Sequence, residues 1–184
     1  MNTNLQAVGM IEFNSIAMGI ETADHMLKSA SVNPLMMKTI CPGKYLVAVH
    51  GDVSSVQSAV DAGLELAQSA MVDYLVIPNI EPAVVSAMSG TNASEITSTL
   101  GIIETFSVTS AILAADSAVK NSDVDLIEVR IAMGLGGKAF FTLTGDLSNV
   151  EAAINNAAEV VANNGMLVRK SVIASLSAEL KPYI

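Results

Sequence analysis

The residues most suited to chemistry lie in a short loop around Cys41, the single cysteine of the chain. Pro42 favours an extended backbone at the cysteine, and Gly43 permits a tight turn after it. A free cysteine is commonly a small buried hydrophobic residue. Alternatively, if three chains met around an axis with this loop innermost, three thiolates would converge and could bind an iron–sulfur cluster, with the fourth iron left to water or a small molecule. The residues alone leave both interpretations open.

A glycine-rich stretch, Gly134-Leu135-Gly136-Gly137-Lys138, occupies the equivalent loop later in the chain. It does not fit a phosphate-binding loop, because the required spacing is missing and Ala139 stands where Ser or Thr should follow the lysine. A dinucleotide-binding GxGxxG pattern is missing as well. We therefore predict a tight turn between two strands, or a loop that faces a crowded symmetry axis where only small residues fit.

These loops belong to a sequence pattern that the chain contains twice. Residues Gly9–Val32 match Gly101–Val124 at an offset of 92, with nine identities in 24 positions. Farther along, Gly43–Val60 match Gly137–Ile154 at an offset of 94, with seven identities in 18 positions. An internal repeat of this kind indicates two structural units of one type.

The repeat defines the expected domain organisation. The pair Leu75-Val76 matches Leu167-Val168, which returns the offset to 92. We predict two tandem domains, residues 1–93 and 94–184, which meet in a polar, turn-rich segment.

The first strand and the first helix are well marked in both copies. Apolar runs predict strands at Ala7–Phe13 and Leu100–Thr105. Ser15 and Ser107 are suited to cap the helices that follow. Each copy then continues as β-α-β-β-α-β, the split-βαβ or ferredoxin-like plan, so the predicted fold class is α/β (α+β).

Helical spacing recurs between the copies. The apolar stripe of the first helix has matching positions in the two copies: Ile16, Ile20, Ala23 and Leu27, then Val108, Ile112, Ala115 and Val119. A short terminal helix is expected after the fourth strand of each copy, at Pro82–Ser89 and at Ser175–Leu180.

The duplication also separates the polar residues that occur in both copies from those that occur in only one. Three charged residues occur in both copies, which favours a structural role over a unique acid–base pair: Glu12, Asp24 and Lys28, then Glu104, Asp116 and Lys120. By contrast, His25 aligns with a serine and His50 with a threonine, and neither has an obvious catalytic partner in the sequence. No GxSxG motif is present. The sequence therefore predicts no enzyme.

Composition excludes several classes of protein. Apolar residues make up 51% of the 184 residues and charged residues only 15%, with a net charge of -9. Disordered segments have few apolar and many charged residues, the opposite of this composition. No apolar run reaches the ~18 residues of a membrane span. Nucleic-acid binding needs clustered cations, whereas the net charge here is negative. The first basic residue is Lys28, so we expect no secretory signal, and the lone cysteine fits a reducing cytosol. So little charge favours burial of part of the surface against other chains.

Two segments, GMIEFNSIAMGIETADHMLKSASV from Gly9 and GKYLVAVHGDVSSVQSAV from Gly43, resemble the signature of the bacterial microcompartment (BMC) shell domain. Their doubling over nearly the whole chain resembles the tandem-domain, trimer-forming branch of that family. The loop KTICPGK and the segment IPNIEPAVVSAMSG are similar to the propanediol-utilisation T type of that branch. The resemblance implies two BMC domains per chain and a homotrimer that imitates a hexamer.

The resemblance also implies roles for the two loops. In such proteins the loop after the second strand lines a central pore, here Cys41, Pro42 and Gly43 in the first copy and Gly134–Gly137 in the second. In the T type, the matching cysteine from three chains holds a [4Fe–4S] cluster in that pore, one cluster per trimer. Cys41 inherits the ligand role by this resemblance.

Further implications concern the surroundings of the trimer. Lys28 and Lys120 match the lysine at the edge of the tile, where neighbouring shell proteins dock laterally. The expected location is the shell of a microcompartment in the cytoplasm, with other shell proteins as partners, an encapsulated redox enzyme as a further candidate, and neither nucleic acid nor membrane.

Two other functions compete with the shell hypothesis. One is a tandem ferredoxin-like regulatory module that binds a small metabolite at a domain interface. The other is a soluble electron-transfer protein, which would need the cluster but would not form sheets. Assembly distinguishes them, since shell proteins form sheets or join shells.

Overall fold

The computed structural model describes residues 6–90, 95–131 and 134–184. These residues form two compact units. One contains the described residues up to Ile80 together with 134–137, and the other contains Glu81–Ile131 and Lys138–Ile184. The predicted boundary between residues 93 and 94 lies outside the described residues and stays a prediction.

The first unit is a four-stranded antiparallel sheet covered by two helices. Its sheet order is β2-β3-β1-β4, and each neighbouring pair is antiparallel. Its elements are β1 (Ala7–Phe13), α1 (Ile16–Ser29), β2 (Asn33–Ile40), β3 (Lys44–Gly51), α2 (Val53–Ala67), a 3-10 turn (Gln68–Ala70) and β4 (Met71–Pro78).

The second unit repeats this arrangement. Its sheet order is β6-β7-β5-β8, again antiparallel throughout. Its elements are α3 (Pro82–Met88), β5 (Leu100–Thr105), α4 (Val108–Asn121), β6 (Asp125–Arg130), β7 (Ala139–Thr144), α5 (Leu147–Ala162), β8 (Leu167–Ile173) and a 3-10 turn (Lys181–Tyr183). The predicted fold class, with two β-α-β-β-α-β domains, is confirmed.

Serine side chains start the first helix of each copy, as predicted. The hydroxyl of Ser15 accepts a hydrogen bond from the backbone N–H of Met18, at 3.4 Å. Ser107 accepts in the same way from Ser110, at 3.1 Å. Each bond satisfies a backbone donor that the first helical turn cannot pair internally.

Glycines let the helices lie close against the sheets. A methyl group on Gly9 of β1 would lie 2.5 Å from Val60 of α2. A methyl group on Gly101 of β5 would lie 2.7 Å from Ile154 of α5. The main apolar cores fill the space between each sheet and its helices. None of the described helices is long and apolar enough to cross a membrane.

The fourth strand corrects one feature of the predicted repeat. Gly9 pairs with Val76 in the first sheet, and its counterpart Gly101 pairs with Val172 in the second. The structural offset here is therefore 96, and the offset of 92 expected from the matching Leu-Val pairs is wrong. The connection between α5 and β8 is longer than its counterpart, so the identical letters do not occupy equivalent positions.

The C-terminal segment also differs from expectation. The helix expected at Pro82–Ser89 is present as α3, but no helix forms at Ser175–Leu180, where the chain makes bends and turns before a single 3-10 turn. At the offset of 96, the counterpart of Glu81–Met88 is Ser177–Ile184. Pro182 has no N–H to donate to a carbonyl four residues earlier, so an α-helix is interrupted there.

Candidate functional site

Two loops predicted to act together lie in the same compact unit. The loop 41–43 joins β2 to β3, and residues 134–137 belong to the connection between β6 and β7. Gly134, Gly136 and Gly137 have positive φ angles of 73°, 61° and 87°, which confirms the predicted tight turn. Leu135 lies among them and is half-buried.

The two loops touch at one crowded point. A methyl group on Gly137 would lie 2.8 Å from Cδ of Pro42 and 3.4 Å from the carbonyl oxygen of Cys41. Only a glycine allows this approach without movement of its neighbours. By contrast, nothing lies within 4 Å of a methyl group placed on Gly43, Gly134 or Gly136. The loops therefore have one side in contact and one side open.

Cys41 is a free thiol on this pair of loops, and the residue is half-buried. It follows the buried Ile40, which anchors the end of β2 in the core. The peptide bond between Cys41 and Pro42 is cis. Among the described residues, no group of three or more His, Cys, Asp or Glu side chains could hold a metal ion. A metal bound by Cys41 would therefore need ligands from other molecules.

A buried ion pair connects the first sheet to the glycine loop. Nζ of Lys44, at the start of β3, lies 2.7 Å from Oε1 of Glu12 on β1. The same ammonium donates a hydrogen bond to the carbonyl oxygen of Gly137, at 3.4 Å. Lys44 therefore links the β1–β3 pair to the glycine loop. Sequence reasoning assigned Glu12 a structural role but missed its partner, although Lys44 and Lys138 recur with the two glutamates.

The second copy contains the same ion pair in a more open setting. Nζ of Lys138 lies 2.5 Å from Oε1 of Glu104. These two side chains are 43% and 33% exposed, whereas those of Lys44 and Glu12 are 16% and 0% exposed. The same pair is thus covered in one copy and partly solvated in the other.

The lysines predicted at the tile edge form a second repeated pair. Lys28 lies 2.5 Å from Asp24, and both side chains are largely exposed. Lys120 lies 2.6 Å from Asp116, which is buried and also accepts a hydrogen bond from the backbone N–H of Glu81, at 2.9 Å. The exposed position of Lys28 suits an external contact. Lateral docking stays a prediction for both lysines.

A cavity of about 270 Å³ lies beside the outer face of the second sheet. Its wall includes Phe140, and Arg130 stacks over that ring with 5.4 Å between the guanidinium carbon and the ring centroid. Arg130 also pairs with Glu128, at 2.8 Å. The C-terminal residues Leu180 and Tyr183 close one side. The cavity is slightly smaller than typical ligand pockets, which occupy roughly 300–1,000 Å³.

Comparison with known proteins gives consistent matches over nearly the whole chain. The family model described as "BMC domain" matches residues 7–80 and 99–176. The bacterial microcompartment shell protein PduT of Citrobacter freundii is 49% identical over 168 residues, which cover 91% of each chain. The shell protein PduA of the same organism is 41% identical over 64 residues, 35% of this chain and 69% of PduA.

Solved structures agree with these matches. A microcompartment protein from Desulfitobacterium hafniense superposes with a TM-score of 0.83 at 48% identity, and the match covers 96% of this chain and 98% of that one. A fused, permuted hexameric shell protein, MSM0275, superposes with a TM-score of 0.64 at 19% identity over 84% of each chain, which supports the fold alone.

Proposed function

Because this chain belongs to the BMC-domain family, we propose that it forms a homotrimer that tiles into a shell facet and holds a [4Fe–4S] cluster through Cys41. The protein is a structural shell protein of a bacterial microcompartment, similar to PduT. The finer proposal concerns the trimer, the pore and the cluster. One observation supports it above all: the free, half-buried Cys41 lies on a pair of touching loops on which Gly43, Gly134 and Gly136 face open space.

The donor chemistry fits an iron–sulfur cluster that three chains share. Iron–sulfur clusters are held by cysteine thiolates, and each chain offers one. Nothing lies within 4 Å of a methyl group placed on Gly43, Gly134 or Gly136, so these positions on the two loops face open space. A trimer would supply three thiolates and leave the fourth iron to water or a small molecule.

In this proposal the protein's residues position the thiol and perform no catalysis. The Lys44–Glu12 ion pair fixes the start of β3, and Gly137 lets the glycine loop pack closely against Pro42, next to the cysteine. A cluster bound there would supply one-electron redox chemistry, or a route for cluster traffic, across the shell. Other shell proteins at the tile edge and an encapsulated redox enzyme are the partners that this role requires.

The test combines mass, colour and one substitution. Three chains of 19.1 kDa give 57.3 kDa, which light scattering should measure for anaerobically purified protein. That protein should be brown, with an iron–sulfur absorbance and EPR signal equal to about one cluster per three chains. Cys41→Ser should lose the colour and keep the trimer.

Two results would refute parts of this proposal separately. A monodisperse monomer in the wild type would exclude the shell trimer. A Cys41→Ser variant that still bound a full complement of iron would exclude Cys41 as the ligand. Lys28→Ala is a matched control, because a residue at the tile edge should change sheet formation and leave the cluster unaffected.

A regulatory, small-molecule-binding module is the second candidate function. The cavity beside Phe140 and Arg130 favours it, because an apolar wall with a few charged groups is typical of ligand sites. Such a module would form discrete oligomers whose thermal stability rises with a metabolite. Sheets seen by electron microscopy, without metabolite-dependent stability, would decide for the shell protein.

A further inference from the structure

The outer face of the second sheet carries polar side chains where the first sheet is apolar. Matching rows of register partners cross the two sheets on this face: Met10, Ala48 and Met36 in the first, then Ile102, Thr142 and Glu128 in the second. Met10 and Ala48 are fully buried, so the shared fold forms with no polar group at these positions. Thr142 and Glu128 are therefore a property of the second copy that the fold itself does not require.

The hydroxyl of Thr142 is buried and unpaired. Thr142 is 3% exposed, and its hydroxyl oxygen has no hydrogen-bond partner among the residues that the structure describes. Thr144, two residues further along β7 and also buried, instead donates its hydroxyl to the carbonyl oxygen of Thr99, at 2.7 Å. A buried polar group without a partner costs free energy, and native proteins contain few of them. The hydroxyl of Thr142 thus points to a hydrogen-bonding partner outside the chain.

Thr142 lines the cavity of about 270 Å³ on this face. Four side chains form the apolar wall of this cavity: Leu100, Ile102, Phe140 and Ile173. The polar edge is the ion pair of Arg130 with Glu128, in which Nε and Nη2 of the arginine donate to Oε2 of the glutamate, at 3.1 and 2.8 Å. Within the described part of the chain, Oε1 of Glu128 accepts no hydrogen bond. The cavity therefore combines an apolar wall with one unused hydroxyl and one unused carboxylate oxygen.

We propose that this cavity binds a neutral alcohol with an apolar body, of about the size of 2-phenylethanol. An engineered cavity of about 150 Å³ holds benzene, so the larger volume here accommodates one ring with a short hydroxyl-bearing arm. Thr142 and Glu128 are directly opposite each other on β7 and β6, where facing Cβ atoms are about 4.5–5.5 Å apart. One ligand hydroxyl can therefore accept from Thr142 and donate to Oε1 of Glu128.

The charges at the cavity favour a neutral ligand over a charged one. Arg130 and Glu128 already neutralise each other, so a carboxylate or an ammonium group would be covered without a counter-ion of its own. The proposal concerns the second domain alone and requires neither the trimer nor the cluster. It gives the cavity a ligand class that holds whether the chain tiles into a shell or acts as a regulatory module.

A titration of the full-length protein with 2-phenylethanol tests the ligand and its location together. In NMR spectra of isoleucine methyl groups, the signals of Ile102 and Ile173 should shift and saturate, whereas those of Ile11 and Ile77 in the first unit should not. Thr142→Val should weaken binding about tenfold, the effect of one lost hydrogen bond. Thr142→Ser is the matched control and should keep the affinity, because it keeps the hydroxyl. The absence of a saturable shift, or equal affinities for the wild type and Thr142→Val, would overturn the proposal.

The stability of the free protein supplies an independent readout. Thr142→Val should raise the midpoint of urea denaturation, because it removes a buried hydroxyl that has no partner. Thr144→Val should lower the midpoint, because it removes the hydrogen bond to Thr99. A lower midpoint for Thr142→Val would show that its hydroxyl is already bonded in the free protein, and this result also overturns the proposal. Light scattering of the same variants should give the mass of the wild type, so a failure of the cavity is distinguishable from a failure of the trimer.

Discussion

At the residue scale, the same side chain has a different role in each copy because its surroundings differ. Lys44 neutralises a fully buried carboxylate and also reaches the carbonyl of Gly137. Lys138 makes the same ion pair with Glu104, where water screens both charges. A buried charge depends far more on its partner than an exposed one. Burial, rather than residue type, therefore decides how much each ion pair contributes.

Asp52 shows a similar difference and yields a pH prediction. It caps α2, and the hydroxyls of Ser54 and Ser55 and the N–H of Ser55 donate to its carboxylate. These bonds, that of Ser54 first, hold the pKa of Asp52 well below its usual value of about 4. Its contribution to stability is thus complete above that value and is lost as the pH falls through the lowered pKa.

Asp52→Asn should therefore lower the free energy of unfolding at pH 7. The difference from the wild type should shrink as the pH falls toward about 2. Urea denaturation midpoints across this range measure the change. Asp146→Asn is the control, because Asp146 caps α5 without a side-chain hydrogen bond to the helix. Equal pH profiles for the two variants would contradict the assignment.

At the scale of elements, local signals were predictable and contacts between distant segments were not. The bounds of β1 and β5 and the serine caps follow from short apolar runs bounded by capping residues. The fourth-strand offset failed because a repeated Leu-Val pair carries no information about register. No helix forms at Ser175–Leu180, and a helix continued over Ser177–Ile184, the counterpart of α3, would contain Pro182, which has no backbone N–H to donate. The contact between Pro42 and Gly137 joins residues far apart in sequence, which periodicity cannot reveal.

The packing of α2 on β1 provides a prediction at this scale. A methyl group on Gly9 would come within 2.5 Å of Val60 and 2.8 Å of Val56, both rigid side chains of α2. Gly9→Ala should therefore lower the free energy of unfolding by about 1–3 kcal/mol, the usual cost of overpacking a core. Urea unfolding measures this change in the free energy of unfolding. In Gly51→Ala the nearest atom is 3.4 Å away, and a Gly9→Ala loss no larger than that of this control would disprove the tight contact.

At the scale of the whole molecule, the unusual composition has a structural reason. Two small domains each need an apolar core, since a domain of this size buries a modest fraction of its surface. The apolar share of 51% supplies both cores and still leaves Ile20, Tyr183 and other large side chains exposed. Such surfaces, with only 15% charged residues, suit a protein that other shell subunits cover.

The two lysine–glutamate pairs should differ in how much they stabilise the fold, because one is buried and the other is partly exposed. Lys44→Met leaves Glu12 buried without its ammonium, and loss of one partner of a buried pair costs about 3–5 kcal/mol. Lys138→Met removes a partly solvated pair worth roughly 0–1 kcal/mol within one chain. Lys44→Met should therefore lower the midpoint of urea denaturation strongly, and Lys138→Met should change it little. An equal loss of stability in the two variants would show that burial does not make the Lys44–Glu12 pair the stronger of the two.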